Sequence, residues 1–118
     1  MIEKYENTFV FVGDAPFIDC DTIKHLYASH INLNADCSFL YSDFPFDLPY
    51  ARLIKTKSGD LSRCIEYSNA SDKEKMITSF FTSHYLFKSK KLLDYIFKIE
   101  RNNMGEYYLT DIINKVIF

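Results

Sequence analysis

Two short segments carry side chains of a type and spacing that could do chemistry. Gly13-Asp14-Ala15-Pro16 sets a carboxylate directly after the run Thr8-Phe9-Val10-Phe11-Val12. An apolar, β-branched and aromatic run closed by Gly and Pro predicts a strand buried on both faces. A carboxylate just past the C-terminal end of such a strand sits where open α/β sheets bind ligands. Asp is a hard oxygen ligand, suited to a Mg²⁺ ion that also holds phosphate oxygens. The plainer alternative is that Asp14 makes the turn and caps the segment after it. The second segment is Gly105-Glu106-Tyr107-Tyr108-Leu109-Thr110-Asp111-Ile112-Ile113, a loop entering a helix whose acidic residues could favour the helix N-terminus. Other reactive side chains offer less. Cys20, Cys37 and Cys64 are odd in number and form no C-x-x-C pair, so neither a disulfide framework nor a zinc knuckle is indicated. His25 and His30 lie five residues apart and would face different sides of a helix. With His84 they read as ordinary surface or half-buried residues.

These segments need elements to position them. Asp19 or Asp21 caps a helix with the apolar stripe Ile23, Leu26, Tyr27 and Ile31. Residues 35–44 read as extended, with Cys37, Phe39 and Tyr41 alternating against Ser38 and Ser42. After Pro45 and Pro49, residues 52–56 and 61–67 flank Lys57-Ser58-Gly59-Asp60 as a hairpin with Gly in the turn. Ser71-Asp72-Lys73-Glu74 fits a capping box before a short helix. Residues 80–87 read as a strand. Ser89 then caps a helix with the apolar face Leu92, Leu93, Ile96 and Phe97, and Thr110 or Asp111 opens a last helix through Ile112, Ile113, Val116 and Ile117. Strands alternating with helices predict an α/β domain. A first strand buried on both faces would demand neighbours that a chain this short strains to supply.

Composition narrows the function classes. The chain has 118 residues, 47% hydrophobic and 25% charged, enough for one domain with a real core. A net charge of −2 gives no field to hold a nucleic-acid backbone, so no nucleic-acid partner is expected. No apolar run is long enough to span a bilayer, so no membrane partner is expected either. The N-terminal residues lack the basic-then-apolar order of a secretory signal, and a cytoplasmic location is the expectation. Eleven Phe and nine Tyr with no Trp are unusual. They fit either an AT-rich coding bias or an aromatic ligand surface.

Taken together, with the order of elements between them, the two segments resemble the uridyltransferase domain of bacterial N-acetylglucosamine-1-phosphate uridyltransferase, the UDP-N-acetylglucosamine pyrophosphorylase. The residues that carry the resemblance are Gly-Asp-x-Pro at 13–16 and Gly105-Glu106-Tyr107-Tyr108-Leu109-Thr110-Asp111-Ile112. Pro49-Tyr50-Ala51-Arg52 is similar to the family's Gly-Tyr-Gly-Arg turn, and Cys64-Ile65-Glu66-Tyr67-Ser68-Asn69-Ala70 to its Ile-Val-Glu-x-Lys-Asp-Ala segment. Thr82 and Tyr85-Leu86-Phe87 are similar to the strand that begins Asn-Thr-Gly. The resemblance covers almost the whole chain and corresponds to the second half of the family's catalytic domain. It implies a three-layer α/β nucleotide-diphospho-sugar transferase fold, with residues 1–118 as a partial nucleotidyltransferase domain, its C-terminal portion. The implied reaction joins UTP and N-acetylglucosamine 1-phosphate into UDP-N-acetylglucosamine and releases pyrophosphate. The implied metal is Mg²⁺, with Asp14 as its ligand and the second ligand absent from this chain. The implied substrate-binding residues are Glu66, at the N-acetylglucosamine moiety, and Glu106 and Tyr108, near the sugar pocket. No residue of the chain is assigned a catalytic role.

The departures from the family pattern shape the expected function. Val12 stands where the family has Tyr, Ala51 replaces a turn glycine, Phe81 and Ser83 replace the Asn and Gly of Asn-Thr-Gly, and Ser68 and Asn69 replace Lys and Asp. The family's Gly-rich loop, whose Arg and Lys cradle the triphosphate, has no counterpart. The chain is therefore expected to be inactive alone, as a partial uridyltransferase that works with a separate N-terminal half. The alternatives are a non-catalytic remnant or interaction domain, toward which the substitutions lean, and a small module that binds a UDP-sugar or a sugar phosphate. An apolar strand at residues 8–12 and an apolar last helix, both short of neighbours, predict self-association or capture of that missing half.

Overall fold

The computed structural model describes residues 1–15 and 17–116. Pro16, assigned above to the first turn, and Ile117, assigned to the last helix, lie outside the described residues with Phe118. No described helix is long and apolar enough to cross a membrane. The chain forms two compact units, the first from Met1–Leu40 and Ser83–Lys98, the second from Tyr41–Thr82 and the residues from Ile99 onward.

In the first unit, β1 (Asn7–Val10) pairs antiparallel with the end of β5 (Ser79–Lys88), from Asn7 opposite Lys88 to Val10 opposite Tyr85. Helix α1 (Cys20–Asn32) starts where the sequence predicts, with Asp19 accepting from the Thr22 N–H at 2.8 Å. β2 (Cys37–Asp43) also pairs with β5, and the Lys88 N–H donates to the Asp36 carbonyl at 3.0 Å. The core is made by Tyr85, Leu86 and Phe87 of β5, Leu26 of α1 and Leu92 of α3 (Ser89–Ile96).

Three expectations are corrected here. β1 is not buried on both faces: Phe9 and Phe11 are more than a third exposed, because antiparallel pairing leaves one face free to meet solvent. Tyr27 and Ile31 are exposed, and α1 instead buries Leu26 and His30. Ser89 does not cap α3. Lys88 holds that position without a side-chain bond, and the Ser89 hydroxyl pairs with Thr8 Oγ1 at 2.7 Å.

In the second unit, β3 (Arg52–Lys55) and β4 (Leu61–Ile65) form the predicted hairpin, with Leu53 opposite Cys64. Gly59 supplies the positive φ that the turn requires, +93°. The start of β5 pairs with β3 through Phe80 opposite Arg52. The capping box is present: Ser71 and Glu74 satisfy each other's backbone N–H groups at the head of α2 (Asp72–Lys75). Helix α4 (Asp111–Val116) lies on β4 and buries Ile112 and Ile113. The sequence left these two isoleucines in need of an outside surface. The chain itself covers them.

Within β5, Ser83 has φ +59°. It is the position where the resembling family carries glycine, and a residue with a Cβ is strained there. Ser83→Gly is therefore expected to stabilise the chain by up to about 1.5 kcal/mol, relief of about 1–2 kcal/mol of left-handed strain less about 0.5–1 kcal/mol for the freer unfolded glycine. Urea unfolding checks this, and a midpoint that falls would show that the serine side chain is needed there. Ala51, the other glycine replacement, lies outside the left-handed region, so its methyl adds no backbone strain.

Candidate functional site

The predicted site residues fall into two groups. Asp14 belongs to the first unit. β1 ends at Val10, two residues without regular structure follow, and Gly13 and Asp14 form a turn with the Asp14 side chain exposed. Among the described residues no three His, Cys, Asp or Glu side chains come together as a metal cage. A single exposed carboxylate still fits Mg²⁺, which commonly takes one or two protein carboxylates, keeps several waters and binds substrate phosphates for the rest.

Glu66, Glu106 and Tyr108 belong to the second unit. Glu66 leaves the end of β4, and its Oε1 accepts from the buried Thr110 hydroxyl at 2.5 Å. That bond joins the two longest motifs, which are far apart in sequence. Helix α4 opens at Asp111, one of the two starts the sequence predicts, with the Thr110 hydroxyl just ahead of it on Glu66, and its first turn closes through i→i−3 bonds at Asp111, Ile112 and Ile113. Tyr108 donates its hydroxyl to Glu106 Oε2 at 3.1 Å, so these two predicted residues also meet. Burial raises the Asp111 carboxyl above its usual range, against the pull of Lys115. Burial, then the charges of Glu66 and Asp111, pushes the Cys64 thiol up to about 12, which makes it an inert core residue rather than a nucleophile.

Three residues that organise this site were missed by the sequence reading. The first is Asn102. Its Oδ1 accepts from the N–H groups of Met104 and Glu106, both at 2.9 Å, and its own N–H donates to the Glu106 carbonyl. With Gly105 at φ +79°, this closes the loop that presents Glu106. Asn114 pairs with the free edge of β4: its Oδ1 accepts from the Cys64 N–H at 2.8 Å and its Nδ2 donates to the Cys64 carbonyl at 2.9 Å. The third is Arg52. It is 0% exposed, and its guanidinium lies over Phe80 at 4.5 Å and Tyr67 at 5.2 Å. It donates to the carbonyls of Leu48, Tyr50 and Lys75 and to the Asp47 carboxylate. A polar residue in a strand, an asparagine in a loop and another in a helix carry no sequence signal for such roles, because the partners are set by the fold.

No protein-family model matches the chain. Individual sequences do. Over 107 residues it is 36% identical to the bifunctional protein GlmU of Lactococcus lactis subsp. lactis, covering 90% of this chain and 23% of that protein. Over 112 residues it is 35% identical to the bifunctional protein GlmU of Pseudothermotoga lettingae, covering 94% and 25%. The GlmU of a Geobacillus species gives 33% identity over 112 residues, covering 94% and 24%. The chain thus spans about a quarter of the length of the curated relatives it matches. Among solved structures, a chain described as a glucose-1-phosphate thymidylyltransferase from Bacillus anthracis, crystallised with sucrose, matches with a TM-score of 0.70 at 20% identity. The match covers 95% of this chain and 42% of that one. The fold is accordingly the α/β nucleotide-diphospho-sugar transferase fold, and the resemblance read from the motifs holds over nearly the whole chain.

Proposed function

We propose that this chain, a relative of one segment of the bifunctional GlmU proteins, is the sugar-binding part of a uridyltransferase domain and does not complete the reaction alone. The observation that carries the reading is the Thr110–Glu66 hydrogen bond at 2.5 Å, which brings together the two motifs most like the family's. With Oε1 held by Thr110, the other Glu66 oxygen accepts from a hydroxyl of the N-acetylglucosamine moiety. Glu106 and Tyr108, on the loop closed by Asn102, border the same sugar. Asp14 holds Mg²⁺. When bound, that ion draws negative charge off the phosphates. The cationic loop that would stabilise a triphosphate in the transition state lies outside these 118 residues.

A second reading, a non-catalytic remnant, is favoured by one position. Phe81, where the resembling family has a hydrogen-bonding Asn, is 2% exposed and cannot contact a sugar as that Asn does.

Two measurements test the proposal. Calorimetric titration of the purified chain with UDP-N-acetylglucosamine and Mg²⁺ is expected to show binding, weakened about tenfold or more by Glu66→Gln, as befits a charged hydrogen bond of about 1.5–3 kcal/mol. Pyrophosphate release from UTP and N-acetylglucosamine 1-phosphate is expected to be absent. Binding that ignores Glu66→Gln sinks the site assignment, and no binding at all leaves the remnant reading. Release that is abolished by Asp14→Ala would show that the chain is a complete catalyst.

A further inference from the structure

The first unit buries a titratable group that the proposed reaction does not use. His30, in the last turn of α1, is 1% exposed. Its Nδ1 lies 2.8 Å from Ser38 Oγ on β2, and its Nε2 lies 3.2 Å from Asn7 Oδ1 on β1. The Asn7 carbonyl oxygen only accepts, so Nε2 carries the ring proton and Nδ1 accepts from the Ser38 hydroxyl. One neutral imidazole therefore joins three elements, with each ring nitrogen used once.

We propose that His30 is an acid-sensitive latch on β1: neutral, it ties β1 to α1 and β2, and on taking up a proton it releases β1 and the Gly13-Asp14 turn that follows. Protonation places a second N–H on the ring. Ser38 must then turn its hydroxyl round to accept, and the new charge sits where water cannot solvate it. The charged groups that face the ring are Lys88 on β5, which opposes the charge, and Asp36 just ahead of β2, which favours it. Asp36 is already engaged, by Lys88 at 3.0 Å and by Lys91 of α3 at 3.5 Å. β1 carries no charged residue, and Asp21, Lys24 and His25 lie in the first half of α1.

Burial first, and then Lys88, hold the His30 pKa below the ordinary histidine value. The unfolded histidine therefore takes up a proton more readily than the folded one. The latch is fully effective above the ordinary value of about 6.5, and it weakens as pH falls from there toward the lowered value of His30. This inference stands apart from the proposed uridyltransferase role, since it concerns the stability of one strand and uses no ligand.

Amide hydrogen exchange of the whole chain at pH 7 and at pH 5, corrected for intrinsic rates, tests it. Protection of the β1 amides and of their β5 partners is expected to fall about tenfold or more, while the β3–β4 hairpin serves as the internal standard. His30→Gln, which keeps polar atoms but cannot charge, is expected to remove the acid dependence. Lys88→Met, which leaves the latch in place and removes the opposing cation, brings folded His30 closer to the ordinary histidine value and is expected to shrink the acid-induced loss of protection, which keeps the idea testable if His30→Gln does not fold. Equal loss of protection in β1 and the hairpin, the same loss in His30→Gln, or an undiminished loss in Lys88→Met would overturn the proposal.

Discussion

Arg52→Met is expected to destabilise the second unit by about 1.5–3 kcal/mol, the usual worth of hydrogen bonds to a charged group. Methionine is long and apolar enough to keep contact with Phe80 and Tyr67, so little of the loss comes from a cavity. It comes from the part-buried carbonyls of Leu48, Tyr50 and Lys75, which lose a charged donor, while the Asp47 carboxylate, 64% exposed, loses little. Arg52→Lys is expected to recover less than half of the loss. An ammonium keeps the charge but cannot lie flat between two rings or reach four acceptors in a plane. Urea unfolding of the three proteins measures the effect. If Arg52→Met costs less than about 1 kcal/mol, the guanidinium is not what holds residues 47–50.

Ile113→Ala is the second large effect, expected at about 2–5 kcal/mol in the isolated chain. Ile113 is 1% exposed and packs in the second unit beneath α4, beside the Asn114–Cys64 pairing that fixes the helix on β4. The neighbouring Val116 is only partly buried, so Val116→Ala is expected to cost about 1 kcal/mol or less and serves as the control. The pair discriminates two accounts of α4. If the helix is covered by its own chain, the Ile113 loss appears without any partner. If instead it waits for an outside surface, both substitutions cost little until a partner is added.

The hairpin, the capping box and the Asp19 cap were legible because each is local. Gly59 must supply a positive φ, Ser71 and Glu74 satisfy each other across three residues, and Asp19 bonds the third residue after it. The motif pair was legible for another reason: Gly105–Ile112 is long and nearly unbroken, so it marks a family without any geometry. The same sequence misassigned Ser89 as a cap and said nothing of the side-chain partner of Thr110. Both hydroxyls found tertiary partners, Glu66 and Thr8, that no local pattern contains.

The amino-acid sequence by itself determined the order of elements, the turn chemistry and the resemblance, since all three depend on neighbours along the chain. Tertiary structure alone decided that β1 is half exposed, that α4 covers its own isoleucines, and that Arg52 is fully buried. The physical reason is the same in each case. An apolar run states only that burial is favourable, and a polar side chain only that it needs partners. Which surface covers the one and which atoms satisfy the other depends on residues brought together across 28 to 50 positions, as with Arg52 beneath Phe80 and Asn114 on Cys64.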